Sequence, residues 1–109
     1  MTREDIELLG RIKTRMRISN NKDDELLFDF LRTAKSEIMA RRFPYGNGTE
    51  EFPSRYNELA IQLTIIQYNK MGAEGENAHS ENGVSRSYDD YNKLLYTVVP
   101  MVGVIKWEV

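Results

Sequence analysis

The sequence predicts a mainly α-helical protein: a small bundle of about four helices, with a long loop between helices three and four and a short extended C-terminal tail. Apolar residues recur at intervals of three and four along most of the chain, which is the helical period. Capping residues and prolines bound these segments. One stretch poor in apolar residues separates the third segment from the fourth. With 109 residues, the chain is expected to be a single domain, residues 1–109.

The first predicted helix follows Thr2, a suitable N-cap, and carries Glu4 and Asp5 in its first turn, where negative charge suits the helix dipole. Its apolar face consists of Leu8, Leu9, Ile12 and Met16. Since the helix is short, we expect it to pack against the bundle as an arm.

The opposite face of the first helix is basic. It carries four cations: Arg11, Lys13, Arg15 and Arg17. Such a row is either a patch for nucleic-acid phosphates or a solvated helix face, and the solvated face is the commoner case.

The second helix opens on acidic residues at 23–25 and shows the clearest amphipathic pattern of the chain. Its apolar residues are Leu27, Phe30, Leu31, Ala34 and Ile38. It ends near Arg41 and Arg42, before the turn-forming sequence at residues 43–48.

The third helix starts near Pro53 and covers residues 56–70. Apolar residues occupy more than one face, which predicts that this helix lies at the centre of the bundle. Gly72 is expected to close it as a left-handed cap.

The fourth helix is expected to begin near Ser87, with Tyr88, Tyr91, Leu95 and Val98 as its buried stripe, and to stop at Pro100. Residues 101–109 then form the extended tail, in which apolar and polar residues alternate from Ile105. A lone strand is unstable in water, so the tail either lies on its own domain or pairs with another molecule.

Composition excludes several classes of protein. The net charge of -2 argues against an autonomous nucleic-acid binder, and the absence of cysteine excludes disulfide scaffolds and thiolate zinc sites. The N-terminal sequence lacks the apolar core of a secretory signal, and no apolar run is long enough to span a membrane. These features predict a protein of the cytoplasm.

The stretch from Gly72 to residue 87 contains the only histidine of the chain and suggests chemistry at first sight. His79, Ser80 and Glu81 are the residue types of a hydrolytic triad, but three consecutive residues point in different directions and do not converge. One histidine among scattered carboxylates also lacks the ligand pattern of a metal site. We therefore expect neither a catalytic centre nor a metal or other cofactor here.

Ordering this stretch would be unfavourable for the isolated chain. Each residue loses about 1 to 2 kcal/mol of backbone entropy, and Val84 with two alanines buries too little to compensate. Residues 72–87 are therefore predicted to be a mobile loop that becomes ordered when it binds a partner.

Several motifs together resemble one protein family. They are YNKMGAEGE at residues 68–76, HSENGVSRSY at 79–88, DDELL at 23–27, PSRY at 53–56 and VPMVGV at 99–104. The chain resembles, over most of its length, the small head-to-tail connector (adaptor) proteins of tailed bacteriophages and prophages, which are often labelled DNA-packaging proteins. The last five residues, IKWEV, depart from the family pattern.

The resemblance implies a structural virion protein without enzymatic activity. It implies a helical subunit of a ring beneath the portal that follows the portal's twelve-fold symmetry and forms part of the DNA channel. The implied partners are further copies of the chain, the portal and a tail-side stopper or tail-completion protein. Viral DNA is expected to pass through the channel without sequence-specific binding. The implied locations are the host cytoplasm during assembly and the head-to-tail junction of the virion.

The loop is then the expected partner surface. The residues predicted to make polar contacts are Glu74, Glu76, His79, Glu81, Asn82 and Arg86. Those predicted to give the backbone its freedom are Gly72, Gly75 and Gly83. Charges at Asp23, Asp24, Glu50 and Glu51 are candidates to meet the basic helix of a neighbouring copy. The alternative hypotheses are a DNA-packaging accessory that binds through the basic face, and a small hydrolase that uses His79.

Overall fold

The computed structural model describes residues 2–46, 48–74 and 90–101. Within these ranges the chain forms helix α1 (Arg3–Met16), helix α2 (Asp24–Arg42) and a 3-10 turn (Ser54–Tyr56) that leads into helix α3 (Asn57–Glu74). Residues 90–95 are helical again and are called α4. No strand occurs in these ranges. The predicted helical bundle is confirmed.

Both ends of α1 are capped, the first by a side chain and the second by the backbone. The hydroxyl of Thr2 accepts a hydrogen bond from the backbone N–H of Asp5 at 3.1 Å, as predicted for an N-cap. At the other end Arg17 adopts a left-handed conformation with φ of 59°. The N–H of Ile18 then reaches the carbonyl of Lys13 at 2.9 Å and closes the last turn.

One hydrophobic core joins the helices. The buried residues of α2 are spaced at intervals of four, three and four: Leu27, Leu31, Ala34 and Ile38. Phe30, which was predicted to belong to the same apolar face, is only half-buried. The fully or nearly fully buried apolar residues are Leu8, Leu9, Ile12, Leu27, Leu31, Ala34, Ile38, Ala60, Ile61, Leu63 and Val98. The core thus draws on α1, α2, α3 and the segment after α4.

The expectation that the first helix is a peripheral arm is wrong. α1 contacts both α2 and α3, and Leu8, Leu9 and Ile12 are buried. Adjacent apolar residues at 8 and 9, repeated one turn later at 12, give a helix enough apolar width to touch two neighbours at once. α1 is therefore an integral layer of the bundle.

α3 lies at the centre, as its apolar residues on several faces predicted. It packs on α1 and on α2. Ala60, Ile61 and Leu63 are buried, and so is Thr64, whose hydroxyl donates to the carbonyl of Ala60 at 2.8 Å. That bond satisfies the only polar atom of the threonine side chain, so its burial is tolerated.

The predicted end of α3 is also wrong. Gly72 does not cap the helix, which continues through Glu74. A glycine inside a helix costs only about 1 kcal/mol relative to alanine, and the strong helix formers Ala73 and Glu74 follow it. The predicted loop at 72–87 therefore began too early, because residues 72–74 are helical. Residues 75–89 lie outside the described ranges.

α4 and the turn after it complete the core. Tyr91, Leu94 and Leu95 pack against the core, and Val98 is only 1% exposed. Val98 belongs to the predicted stripe, yet the helix ends at residue 95 and Val98 lies in the following turn, its N–H donating to the carbonyl of Leu95 at 3.1 Å. The predicted helix start near Ser87, with Tyr88, and the tail residues 102–109 lie outside the described part of the chain.

Candidate assembly surfaces

The structure places only part of the predicted contact segment. Glu74 is the last residue of α3 and Gly72 lies inside the same helix. The other residues predicted there fall outside the described ranges: Gly75, Glu76, His79, Glu81, Asn82, Gly83 and Arg86.

The basic face of α1 is occupied largely by carboxylates of the same chain. Arg15 donates two hydrogen bonds to Glu58 of α3, both of 2.6 Å, and Arg11 donates a third of 3.0 Å. Gln62, one turn further along α3, also donates to Glu58 at 3.1 Å. Bidentate geometry of this kind is the stronger form of an arginine–carboxylate pair. Two of the four predicted cations are thus already paired.

Lys13 is paired as well. Its ammonium group lies 2.7 Å from a carboxylate oxygen of Asp24 and 2.8 Å from the side-chain oxygen of Asn21. Arg17 alone of the four cations has no side-chain partner within the part of the chain that the structure describes. The basic row on α1 serves mainly to hold α1 against α2 and α3.

Glu58 is the most strongly perturbed carboxylate of this cluster. The hydrogen bonds from Arg15 come first among the causes, Gln62 second, and together they lower the pKa of Glu58 to about 2. Because the folded-state pKa lies below the ordinary value of 4.5, the cluster stabilises the fold above that pH and loses its effect as the pH falls toward 2.

Glu58→Gln is therefore expected to make the stability of the protein depend less on pH between about 2 and 5. Wild type should be more stable than the variant at pH 7, by less than about 1 kcal/mol because the pair is solvent-exposed, and the difference should disappear near pH 2. Thermal melts followed by circular dichroism between pH 2 and 7 measure this. Parallel profiles for the two proteins would contradict the assignment.

The C-terminal end of α2 holds the segment that follows α4. Arg42 donates to the carbonyl of Val99 at 2.8 Å, and the N–H of Met101 donates to the carbonyl of Arg42 at 2.7 Å. The guanidinium of Arg41 lies 4.7 Å from the centre of the Tyr96 ring. The last turn of a helix leaves carbonyls without partners, and one of them is used here to fix the chain through residue 101.

Anchoring this segment leaves apolar side chains in solvent. Tyr96 is 62% exposed, Val99 66% and Met101 50%, and Tyr45, three residues after Arg42, is exposed too. We call these four residues the end patch. A cluster of large apolar side chains at one end of a small protein is typical of an interaction surface.

A second surface lies between the N-terminal halves of α1 and α2. It is a groove of about 580 Å³ with an apolar floor of Ile6, Leu9 and Phe28, and Ile6 is 55% exposed. Its rim is charged: Asp24, Glu25, Asp29 and Arg32. We call it the α1–α2 groove.

A larger hollow of about 740 Å³ runs between α2 and residues 43–52. Lys35 spans it, 2.8 Å from Asp5 and 4.8 Å from the centre of the Phe52 ring. Burial acts to raise the pKa of Asp5, but the hydrogen bond and charge of Lys35, with Thr2, outweigh it and the pKa lies below its ordinary value. The Lys35–Asp5 ion pair therefore ties α2 to the first turn of α1.

Tyr91 joins α4 to α2. Its hydroxyl donates a hydrogen bond to Glu37. Burial, with the hydrogen bond and charge of Glu37, raises the pKa of Tyr91, so the phenol stays protonated. This contact anchors α4 above a smaller hollow between α2 and α3.

Within the described residues, no three His, Cys, Asp or Glu side chains lie together as possible ligands of a metal ion, and no helix has the length and hydropathy to cross a membrane. The end patch was missed by sequence reasoning, which placed Tyr96 and Val99 in the fourth helix and Met101 in the tail. The available signals were the paired arginines at 41 and 42 and the apolar run around Pro100.

A protein-family model described as "Phage gp6-like head-tail connector protein" matches residues 6–98. Searches of the curated proteins and of the solved structures found no significant match. The matched range includes α1 from Ile6 onward, all of α2, α3 and α4, the residues of the α1–α2 groove, and Tyr45 and Tyr96 of the end patch.

Proposed function

Because the chain belongs to the phage gp6-like head-tail connector proteins, we propose that copies of it assemble as a ring between the portal of the phage head and the tail. The family match over residues 6–98 carries this proposal. The ring follows the twelve-fold symmetry of the portal and forms part of the DNA channel. Its partners are the portal, a tail-side stopper or tail-completion protein, and other copies of the chain, each a single domain that assembles in the host cytoplasm.

One feature of the structure and one of the sequence support a ring subunit. The end patch and the α1–α2 groove are separate exposed surfaces at opposite ends of α2, which suits repeated contacts between identical subunits. The slightly acidic net charge of -2 suits a channel through which DNA slides without being held.

The segment at 72–87 is part of the proposal as a surface for the portal or tail partner. The polar contacts proposed there are Glu74, Glu76, His79, Glu81, Asn82 and Arg86. Because Gly72 is helical, backbone freedom is assigned to Gly75 and Gly83.

The alternative, a DNA-packaging accessory that binds phosphates through the basic face of α1, has less support. Arg11, Lys13 and Arg15 are committed to Glu58 and Asp24. If these side chains bound DNA phosphates, they would lose their ion pairs with α2 and α3, so phosphate binding would destabilise the packing of α1.

The proposed function predicts the outcome of removing the chain from a phage that encodes it. Electron microscopy should show heads and tails that fail to join, and supplying the wild-type chain from a plasmid should restore whole virions. Whole virions without the chain would refute the connector function.

A second complementation arm tests the proposed partner surface. Replacing residues 76–85 by a Gly-Ser segment of equal length should preserve the circular dichroism spectrum and thermal melt of the purified protein, yet fail to restore virions. Restoration at the wild-type level would remove these residues from the partner surface while leaving the connector function in place.

A further inference from the structure

We propose that the end patch of one copy of the chain docks in the α1–α2 groove of a second copy. The inference deepens the proposed function, because it names the contact between neighbouring subunits and the residues on each side of it.

The groove offers an apolar floor with unsatisfied negative charge on its rim. Ile6, Leu9 and Phe28 form the floor. Asp24 is neutralised by Lys13, but neither Glu25 nor Asp29 has a hydrogen-bond or ion-pair partner within the described ranges. Against these two carboxylates stands one guanidinium, that of Arg32, which lies 5.8 Å from the centre of the Phe28 ring. The rim is therefore acidic on balance.

The end patch has the opposite character. Its apolar side chains, Tyr96, Val99 and Met101, stand beside Arg41 and Arg42. A guanidinium has five N–H donors, and among the described residues each of these two donates to one backbone carbonyl. The Nε atoms of both arginines are buried, so the N–H groups that remain for a carboxylate are those at the ends of the two guanidinium groups. An apolar patch with a cationic border matches an apolar groove with an acidic rim.

The occupant of the groove must come from another molecule. Arg42 follows Phe28 by fourteen positions along α2, which corresponds to about 21 Å along the helix. The end patch is tied to the far end of α2 by the hydrogen bonds of Arg42 and Met101, so it cannot reach the groove of its own chain. Two different complementary surfaces on one subunit produce a head-to-tail contact, which closes into a ring when the rotation per subunit allows it.

Cysteine cross-linking tests this contact directly, since the chain has no cysteine of its own. Ile6→Cys and Val99→Cys are prepared as separate proteins with tags of different mass, both at exposed positions. They are mixed at concentrations where sedimentation velocity detects self-association and then oxidised. We expect the mixed 6–99 dimer to form at least ten times more than either homodimer. The matched control pairs Val99→Cys with Ser36→Cys, an exposed position elsewhere on α2, and should give only background.

The outcomes separate this inference from the function on which it rests. Dominant 6–6 or 99–99 dimers would mean that each surface pairs with itself, and would overturn the head-to-tail contact. Self-association without any 6–99 product would place the subunit interface elsewhere, and a chain that stays monomeric at every concentration would show that the two surfaces do not bind each other. Each of these results overturns the inference, whereas the connector function is judged by the joining of heads to tails.

Discussion

Leu31→Ala is expected to lower the free energy of unfolding by about 2 to 5 kcal/mol, a large share of the stability of a domain of this size. Leu31 is fully buried on α2, where that helix meets the core residues of its neighbours. Truncation removes apolar burial and leaves a cavity that the close-packed helices cannot fully fill. Urea denaturation followed by circular dichroism at 222 nm measures the change.

The matched control for Leu31 is Ile6→Ala. Ile6 is also a large aliphatic residue on a helix, but more than half of it is exposed, so its truncation should change the free energy of unfolding by less than about 0.5 kcal/mol. A cost below about 1 kcal/mol for Leu31→Ala would contradict the burial of Leu31 in the core. Equal costs for the two variants would do so as well.

The helices that could be read from the sequence are those specified by local patterns. α2 followed from an apolar stripe within nineteen residues, and the start of α1 from a single threonine whose hydroxyl caps the backbone. Such signals involve residues a few positions apart, so their meaning does not depend on the rest of the fold.

Errors arose where a local signal is weak or where distant packing decides. Gly72 reads as a stop signal locally, yet it is helical. Val98 was correctly placed in the core, but by a turn that wraps onto the bundle rather than by a longer helix. The role of α1 was underestimated because an apolar face does not reveal how many neighbours cover it.

The assembly surfaces were harder still. Sequence reasoning put the basic residues of α1 on one face, but their spacing of two residues divides them: Arg11 and Arg15 lie against α3, and Lys13 lies against Asp24 of α2. The sequence could not show that Glu58, 43 positions after Arg15, is the partner of that arginine. Nor could it show that Arg42 holds the chain at Val99, across 57 positions. Both facts depend on helix packing, and both change what these charges are available to do.

Val98→Asp is expected to have the other large effect, a loss of about 3 kcal/mol or more in the free energy of unfolding. Val98 is 1% exposed and lies among apolar side chains of the core. A carboxylate there would be buried without a partner, which proteins avoid by taking up a proton or by releasing the segment. Thermal melts at pH 7 and pH 4 test both features, since protonation should recover part of the lost stability at the lower pH.

The neighbouring substitution separates folding from assembly. Val99→Asp introduces the same charge one residue later, at a side chain that is two-thirds exposed, so the unfolding free energy should stay within about 0.5 kcal/mol of wild type. If the end patch docks in an acidic-rimmed groove, however, this variant should lose self-association in sedimentation velocity because like charges then face each other. A folded Val99→Asp protein that still assembles would exclude the end patch from the interface, and equal destabilisation by the two substitutions would contradict the orientation of this turn. Of these adjacent valines, Val98 is thus expected to matter for folding and Val99 for the contact between subunits.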